Sequence, residues 1–259
     1  MPQAAEPHPT DVCAVVLAAG EGARLRPLTR LRPKPLCPVG GIPLVDLALD
    51  RAATVAGPGR GAVAVNLFHG REPLADHLDG RAHLSIEEGE ALGTAGALGL
   101  LRPWIAGRAV LVLNGDTWAP GDLGPAAAGW DRERIRLLVA GEDRLHETSR
   151  VAAAFMPWPE VERLAPVPSG LWEASWREGH AAGRVEVVRW DGPCLDCGTP
   201  ARYLAANLAA SGGEPVVGEG ATVEGRVERS VLWPGVRVRA GEALVDAIRA
   251  DDGVTVLVR

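Results

Sequence analysis

Lys34 is the only lysine in a chain that otherwise draws its positive charge from arginine, which accounts for 26 of the 27 basic residues. Where arginine has displaced lysine everywhere else, a retained ammonium points to a need for a compact, mobile charge that a planar guanidinium does not supply. The surroundings of Lys34 sharpen that reading. In LAAGEGARLRPLTRLRPKPLCPVGG, residues 17–41, Gly20 and Gly22 directly follow an apolar run, and Arg24, Arg26, Arg30 and Arg32 precede the lysine. A strand opening into such a loop offers backbone N–H groups and cations to phosphate. Two separated acidic turns, Asp116 in NGDT and Asp196 in CLDCGT, add carboxylates. Paired carboxylates can hold magnesium, which keeps several waters and bridges phosphate oxygens.

Other phosphate chemistries fit less well. GEGARL has Leu25 where a dinucleotide fingerprint needs its third glycine, and prolines at 27, 33, 35 and 38 prevent a helix from starting at once. A Walker A loop needs a glycine-lysine-serine/threonine triplet, which is absent from the sequence. HExxH and GxSxG are absent too, which leaves hydrolase readings without support. Of the four cysteines, Cys194 and Cys197 form a Cys-x-x-Cys pair with no second close pair, so reduced thiols are expected and not a zinc or redox centre.

The net charge of -6 argues against a general nucleic-acid binder and leaves room for a small phosphorylated substrate, for which only the local field of a cleft matters. The longest apolar runs, about eight residues, fall well short of the roughly 20 that span a bilayer. No cation precedes the first of them, so neither a membrane span nor a secretory signal is expected, and the location expected is cytoplasmic.

The elements that must position these residues follow from periodicity. Residues 12–17 read as a short buried strand, and residues 43–55 carry Leu44, Leu47, Ala48 and Val55 on one helical stripe. Strands at 61–66, 83–87 and 109–113 alternate with helices at 72–78 and 94–101. Such alternation implies a parallel sheet, and right-handed crossovers bring the strands' carboxyl ends to one edge. The loop after Leu17 and the turn after Leu113 therefore face one crevice, where open α/β sheets bind ligands. Further strands are expected at 134–141, 151–156 and 185–190, with helices between 158 and 183 whose Trp172 and Trp176 read as core. Thr199 and Pro200 form a helix start just after Asp196.

From Val216 on, apolar residues recur six apart among glycine turns, which suggests a few rungs of parallel β-helix. So short a coil must lean on the main domain or on a second copy of the chain. The division expected is a loose arm at 1–10, a main domain at 11–212 and a tail at 213–259.

Taken together, the motifs resemble those of the sugar-1-phosphate nucleotidyltransferases. Residues 17–41 are similar to that family's signature loop LxAGxGxRLxPLTxxxPKPLxPVxG, and EEGEALGTAGAL, LVLNGDTW and CLDCGTPARYLAANL resemble its later landmarks in the same order. LGTAGAL and the tail look most like mannose-1-phosphate guanylyltransferases, whereas NGDTW also looks like the short N-acetylmuramate-1-phosphate uridylyltransferases. The resemblance implies a Rossmann-like, mainly parallel α/β sheet of the nucleotide-diphospho-sugar transferase type, with a short left-handed parallel β-helix behind it. The substrates implied are a nucleoside triphosphate and a sugar-1-phosphate, the cofactor is Mg2+, and the tail is a candidate surface for a homo-oligomer.

By the same resemblance, Arg24 meets the leaving phosphates, Lys34 meets the α-phosphate and sugar phosphate, and Asp116 and Asp196 hold the metal. Leu17, Ala18, Ala19, Gly20 and Gly22 line the nucleotide, with Gly93 and Thr94 opposite. Glu88, five residues before Gly93, falls where the family meets the base. An ionised carboxylate only accepts hydrogen bonds, which suits the adjacent donors of guanine and so favours GTP. The chain departs from the pattern twice. Ala23 stands where the family usually has a hydroxyl residue, and the Glu-Lys-Pro segment of larger members is missing, with Arg144 or Arg150 as candidate substitutes.

Overall fold

The computed structural model describes residues 11–258, so the expected arm at 1–10 lies outside the described residues. Its centre is a seven-stranded sheet built from β1 (Val12–Leu17), β2 (Val63–Leu67), β3 (His83–Ile86), β4 (Ala109–Asn114), β5 (Ile135–Ala140), β6 (Val151–Met156) and β7 (Val185–Trp190), in the order β7-β5-β6-β4-β1-β2-β3. Every residue of β1 is buried, as a strand covered on both faces requires. Alternation sends Ala14 and Val16 to one core and Cys13, Val15 and Leu17 to the other.

Helix α1 (Leu44–Ala56) and helix α2 (Arg71–Leu78) cover the first face, and α3 (Gly93–Ile105) covers the second. Because β1 pairs in parallel with β2 on one side and β4 on the other, the chain reverses its direction of winding at β1. That is the switch point at which a crevice opens beyond the strands' carboxyl ends.

The sheet is mainly parallel, as expected, with one strand running the other way. β6 runs antiparallel to both β4 and β5, which brings its amino end to the crevice edge. Its partner β5 connects to it through residues 141–150 with no helix, and an antiparallel return needs no helical crossover. Beyond the sheet edge, Thr117–Trp118 pairs antiparallel with Leu195–Asp196. This two-stranded clasp brings the two acidic turns together although they are far apart in sequence.

Helix α4 (Pro200–Ala210) starts as expected, with the Thr199 hydroxyl accepting from the Arg202 N–H. The tail behind it consists of short parallel ladders. Val216–Val217 pairs with Val231–Leu232, which pairs with Ile248 and Arg249, while Thr222–Val223 pairs with Arg237–Val238 and Arg226–Glu228 with Ala243–Val245. Val216 pairs with Val231 and Val231 with Ile248, fewer residues per turn than three six-residue repeats would give. The last strand, Thr255–Leu257, turns back antiparallel on Ala247–Arg249.

Inward apolar residues of the tail form one cluster with Leu25, Leu28, Cys37, Val39, Leu44, Tyr203 and Leu204. The loop that carries Lys34 is therefore sandwiched between α4 and the tail. Tyr203 is wholly buried; its hydroxyl donates to the Pro38 carbonyl and accepts from Trp233 Nε1 at 2.9 Å. Arg32 closes the same contact from outside, with a two-point bond to Asp251 at 2.7 and 2.8 Å and its guanidinium 4.8 Å above the Trp233 ring.

Candidate active site

Lys34 is 5% exposed, and its Nζ donates to Asp116 Oδ2 at 2.8 Å and to Asp196 Oδ1 at 2.9 Å. Asp116 ends the turn that follows β4, and Asp196 sits in the strand paired against the next residues of that turn, so the clasp sets both distances. Gly22 makes room for the lysine. It has φ of 67°, and a Cβ there would come within 2.9 Å of Thr29 Cγ2 and 3.1 Å of Lys34 Cβ.

Burial alone would lower the Lys34 pKa, but the two carboxylates outweigh it and hold the ammonium above its usual range. Asp196 is the mirror case. Burial would raise its pKa, while Lys34, Arg24 and Arg202 bring it below the ordinary carboxylate value. Arg202 Nη1 bonds Asp196 Oδ2 at 3.1 Å, and Arg24 Nη2 stands 3.8 Å from the same oxygen. Arg24 is 71% exposed and free to meet an incoming anion. Gly198 leaves space for this group, since a Cβ there would lie 2.9 Å from both Asp196 carboxylate oxygens and 3.1 Å from Arg24 Nη2.

The crevice at the switch point has two connected cavities that share Leu17, Thr94 and Asn114. One lies toward β2 and is lined by Ala19, Gly20, Glu21, Asn66, His69, Gly93 and Asp116 among others. The other lies toward β6, where Val112, Val151 and Ala154 form its floor and Trp172, Glu173 and Trp176 its wall. Of the residues expected at the nucleotide, Leu17, Ala19, Gly20, Gly93 and Thr94 line the first cavity. Ala18 supports the loop from behind, its N–H donating to Asn66 Oδ1 at 2.7 Å.

Glu88 is exposed and outside the lining of both cavities. The extended chain after β3 alternates inward and outward, which turns Glu87 in and Glu88 out. Glu87 is fully buried. One of its oxygens accepts from Asn66 Nδ2 and the other from the Leu92 N–H, both at 2.7 Å. Asn66 and Glu87 thus lock the loops after β1, β2 and β3 to one another. Sequence reasoning missed this pair, although a polar residue inside an otherwise apolar strand, as Asn66 is, was a usable signal.

Arg144 and Arg150 do not line the second cavity. Arg144 is exposed, and Arg150 faces a separate depression with Trp190 and Cys194, because adjacent residues of an extended chain point oppositely and Val151 takes the inner side. Trp172 and Trp176 were expected in the core. Each packs partly on it and partly forms the cavity wall. The four cysteines are buried free thiols, and burial pushes Cys37 and Cys197 up to about 12.

The profile of the Nucleotidyl transferase family matches residues 13–139, which hold the signature loop, Asp116 and the first cavity. The N-acetylmuramate alpha-1-phosphate uridylyltransferase of Caulobacter vibrioides is 32% identical over 231 residues, covering 74% of this chain and 94% of that protein. The chain belongs to the sugar-1-phosphate nucleotidyltransferase family. Another member, the mannose-1-phosphate guanylyltransferase of Mycobacterium tuberculosis, is 37% identical over 120 residues, 44% of this chain and 32% of that one. The family fold is also seen in the crystal structure of a mannose-1-phosphate geranyltransferase from Thermus thermophilus, which superposes with a TM-score of 0.68 at 20% identity over 95% of both chains. Among the described residues, no helix is long and apolar enough to cross a membrane.

Proposed function

We propose that this transferase uses UTP, joining its uridylyl group to a sugar-1-phosphate and releasing pyrophosphate. The observation that carries the transfer is Lys34, a buried ammonium held between Asp196 and Asp116, the second of which lines the first cavity of the crevice. An oxygen of the sugar phosphate attacks the α-phosphorus in line, and the bond to the bridging oxygen of pyrophosphate breaks. The nucleophile is already an anion, so no general base is needed, and catalysis reduces to positioning and charge neutralisation. Lys34 meets the α-phosphate and the attacking phosphate together. Arg24, exposed on a tether from the same loop, meets the departing pyrophosphate.

Asp116 and Asp196 fit a magnesium ion by chemistry, being oxygen donors brought side by side on a single ammonium. When bound, the ion would neutralise phosphate charge. Among the described residues no cluster of three or more metal-binding side chains occurs, so Asp116 and Asp196 are the protein groups that would hold it.

Two observations favour UTP over GTP. Glu88, the acceptor that would have matched guanine, faces solvent, and the relative matched over 94% of its length is a uridylyltransferase. The parallel ladders of the tail support a short β-helix, for which we propose the left-handed sense and a role in bracing the signature loop.

The test is pyrophosphate release with magnesium, each of five nucleoside triphosphates and a panel of sugar-1-phosphates. UTP is expected to give the highest kcat/KM, and Glu88→Gln to leave it unchanged. GTP turnover about tenfold faster than UTP turnover, lost in Glu88→Gln, would overturn the nucleotide assignment.

A further inference from the structure

The second cavity differs from the first in its charge. Its lining is apolar or neutral apart from Glu173, with no lysine, arginine or histidine among the described residues that form it. Glu173 itself has no ion-pair or hydrogen-bonding partner among the described residues. Its carboxylate folds over Gly170, where a Cβ would stand 2.3 Å from Glu173 Oε2.

The wall is a single π turn, Trp172–Trp176, closed by the Arg177 N–H donating to the Trp172 carbonyl. Such wider turns recur at functional sites. Here it delivers Trp172, Glu173 and Trp176 to one cavity. Trp176 Nε1 is buried and has no hydrogen-bond acceptor. A buried donor left unpaired costs about 1–3 kcal/mol, and this one is closed off from the cavity, so the indole meets a ligand through its ring and not through its N–H. Indole faces suit the C–H faces of a pyranose.

We propose that the sugar of this enzyme's substrate is uncharged apart from its 1-phosphate, and that Glu173 accepts from sugar hydroxyls while excluding sugars that bear a carboxylate. The inference rests on the transferase reading and deepens it. N-acetylmuramate carries a lactyl carboxylate, which would enter a cavity holding one anion and no cation to offset it. Glu173 is exposed at the cavity, where like charges still repel and the lining supplies no cation to offset them. Overall similarity to a protein that acts on N-acetylmuramate phosphate therefore does not extend to the sugar.

The experiment compares kcat/KM for N-acetylglucosamine 1-phosphate and mannose 1-phosphate with that for N-acetylmuramate α-1-phosphate, using each nucleoside triphosphate. A neutral sugar phosphate is expected to win by at least about tenfold. Glu173→Gln should narrow that ratio by improving use of the acidic sugar. Trp176→Ala, which removes an indole from the cavity wall, should raise the KM for the sugar phosphate several-fold and leave the KM for the triphosphate unmoved, a split that general loosening of the fold would not produce. Preference of the unaltered enzyme for the acidic sugar, or a ratio unchanged in Glu173→Gln, would overturn this proposal and leave the transferase reading standing. Absence of turnover with every pair would overturn both.

Discussion

The two halves of the crevice are held in shape by different forces. On the phosphate side, Lys34, Asp116, Asp196, Arg24 and Arg202 are positioned by one another's charge. On the side proposed for the sugar, the wall is set by close packing, as residues 165–171 lie directly against α3 with almost no room for a side chain between them. Charge partners can be exchanged when a phosphate arrives, whereas a packed wall is already in its final form. The first half should therefore govern turnover and the second should govern selection of the sugar.

The sharpest way to break the phosphate half is Lys34→Ala. It removes the ammonium that both carboxylates share, and kcat should fall by about 10³-fold or more with the protein still folded. Lys34→Arg should not restore it, because Thr29 and the Gly22 backbone leave little space around the lysine stem, and a guanidinium presents a fork where two carboxylates converge on one nitrogen. Single-turnover measurement at saturating substrates separates this loss from weakened binding. Activity within about threefold of the unaltered enzyme would remove Lys34 from the reaction.

The packed half breaks at Gly96. A Cβ there would stand 2.3 Å from the Val167 carbonyl oxygen, and at Gly99 it would stand 2.5 Å from the Ala165 backbone. Gly96→Ala should raise stability by about 1 kcal/mol if helix propensity alone mattered. The clash predicts a loss of about 1–3 kcal/mol instead, together with a higher KM for the sugar phosphate than for the triphosphate. Thr94 anchors the same wall, its hydroxyl accepting from the Leu171 N–H at 2.8 Å. Denaturant unfolding together with steady-state kinetics checks both effects. A stabilised variant with unchanged KM values would show that the wall is not held by this approach.

Much of the phosphate half could be read in advance because chemistry there sits in short motifs. A lone lysine among arginines, two acidic turns and a glycine loop named Lys34, Asp116 and Asp196 before any distance was known. The pattern of residues 151–156 gave no direction for β6, since alternation reads the same along either sense of a strand. The cavity wall was hidden for another reason. Trp172 and Trp176 have core spacing and core contacts, and only the π turn, which brings both to the cavity, sets their second role. In the tail, the six-residue repeat gave the kind of pairing but not its register, and shorter turns place Val216 beside Val231.

The tail offers a smaller test of how the charged half is braced. Arg32 is two residues from Lys34 and joins the signature loop to Asp251 and Trp233. Its ion pair is partly exposed, so Arg32→Ala should cost only about 1 kcal/mol of stability. Loss of the brace should show more clearly as a few-fold rise in the KM for the triphosphate, with the sugar KM unmoved. Equal change in both would mean that the tail supports the crevice as a whole.

The finest distinction between the halves lies in their response to pH. The folded-state pKa of Asp196 is lowered despite burial, so its contribution to stability is complete above the ordinary value of 3.8 and is lost as pH falls through the lower folded value. Lys34 has a raised pKa, so its contribution is complete below the ordinary 10.5 and is lost as pH rises through the higher folded value. Between those limits the charged cluster is fully ionised and should add no pH dependence. In Asp196→Asn, the stability deficit relative to the unaltered protein should hold constant through neutral pH and close only below the ordinary carboxylate value. Gly96→Ala, which alters packing and no charge, should show no such closing deficit. Urea unfolding midpoints across an acid series decide it. A deficit in Asp196→Asn that varies through neutral pH would mean that another titrating group, and not Lys34, is the main partner of that carboxylate.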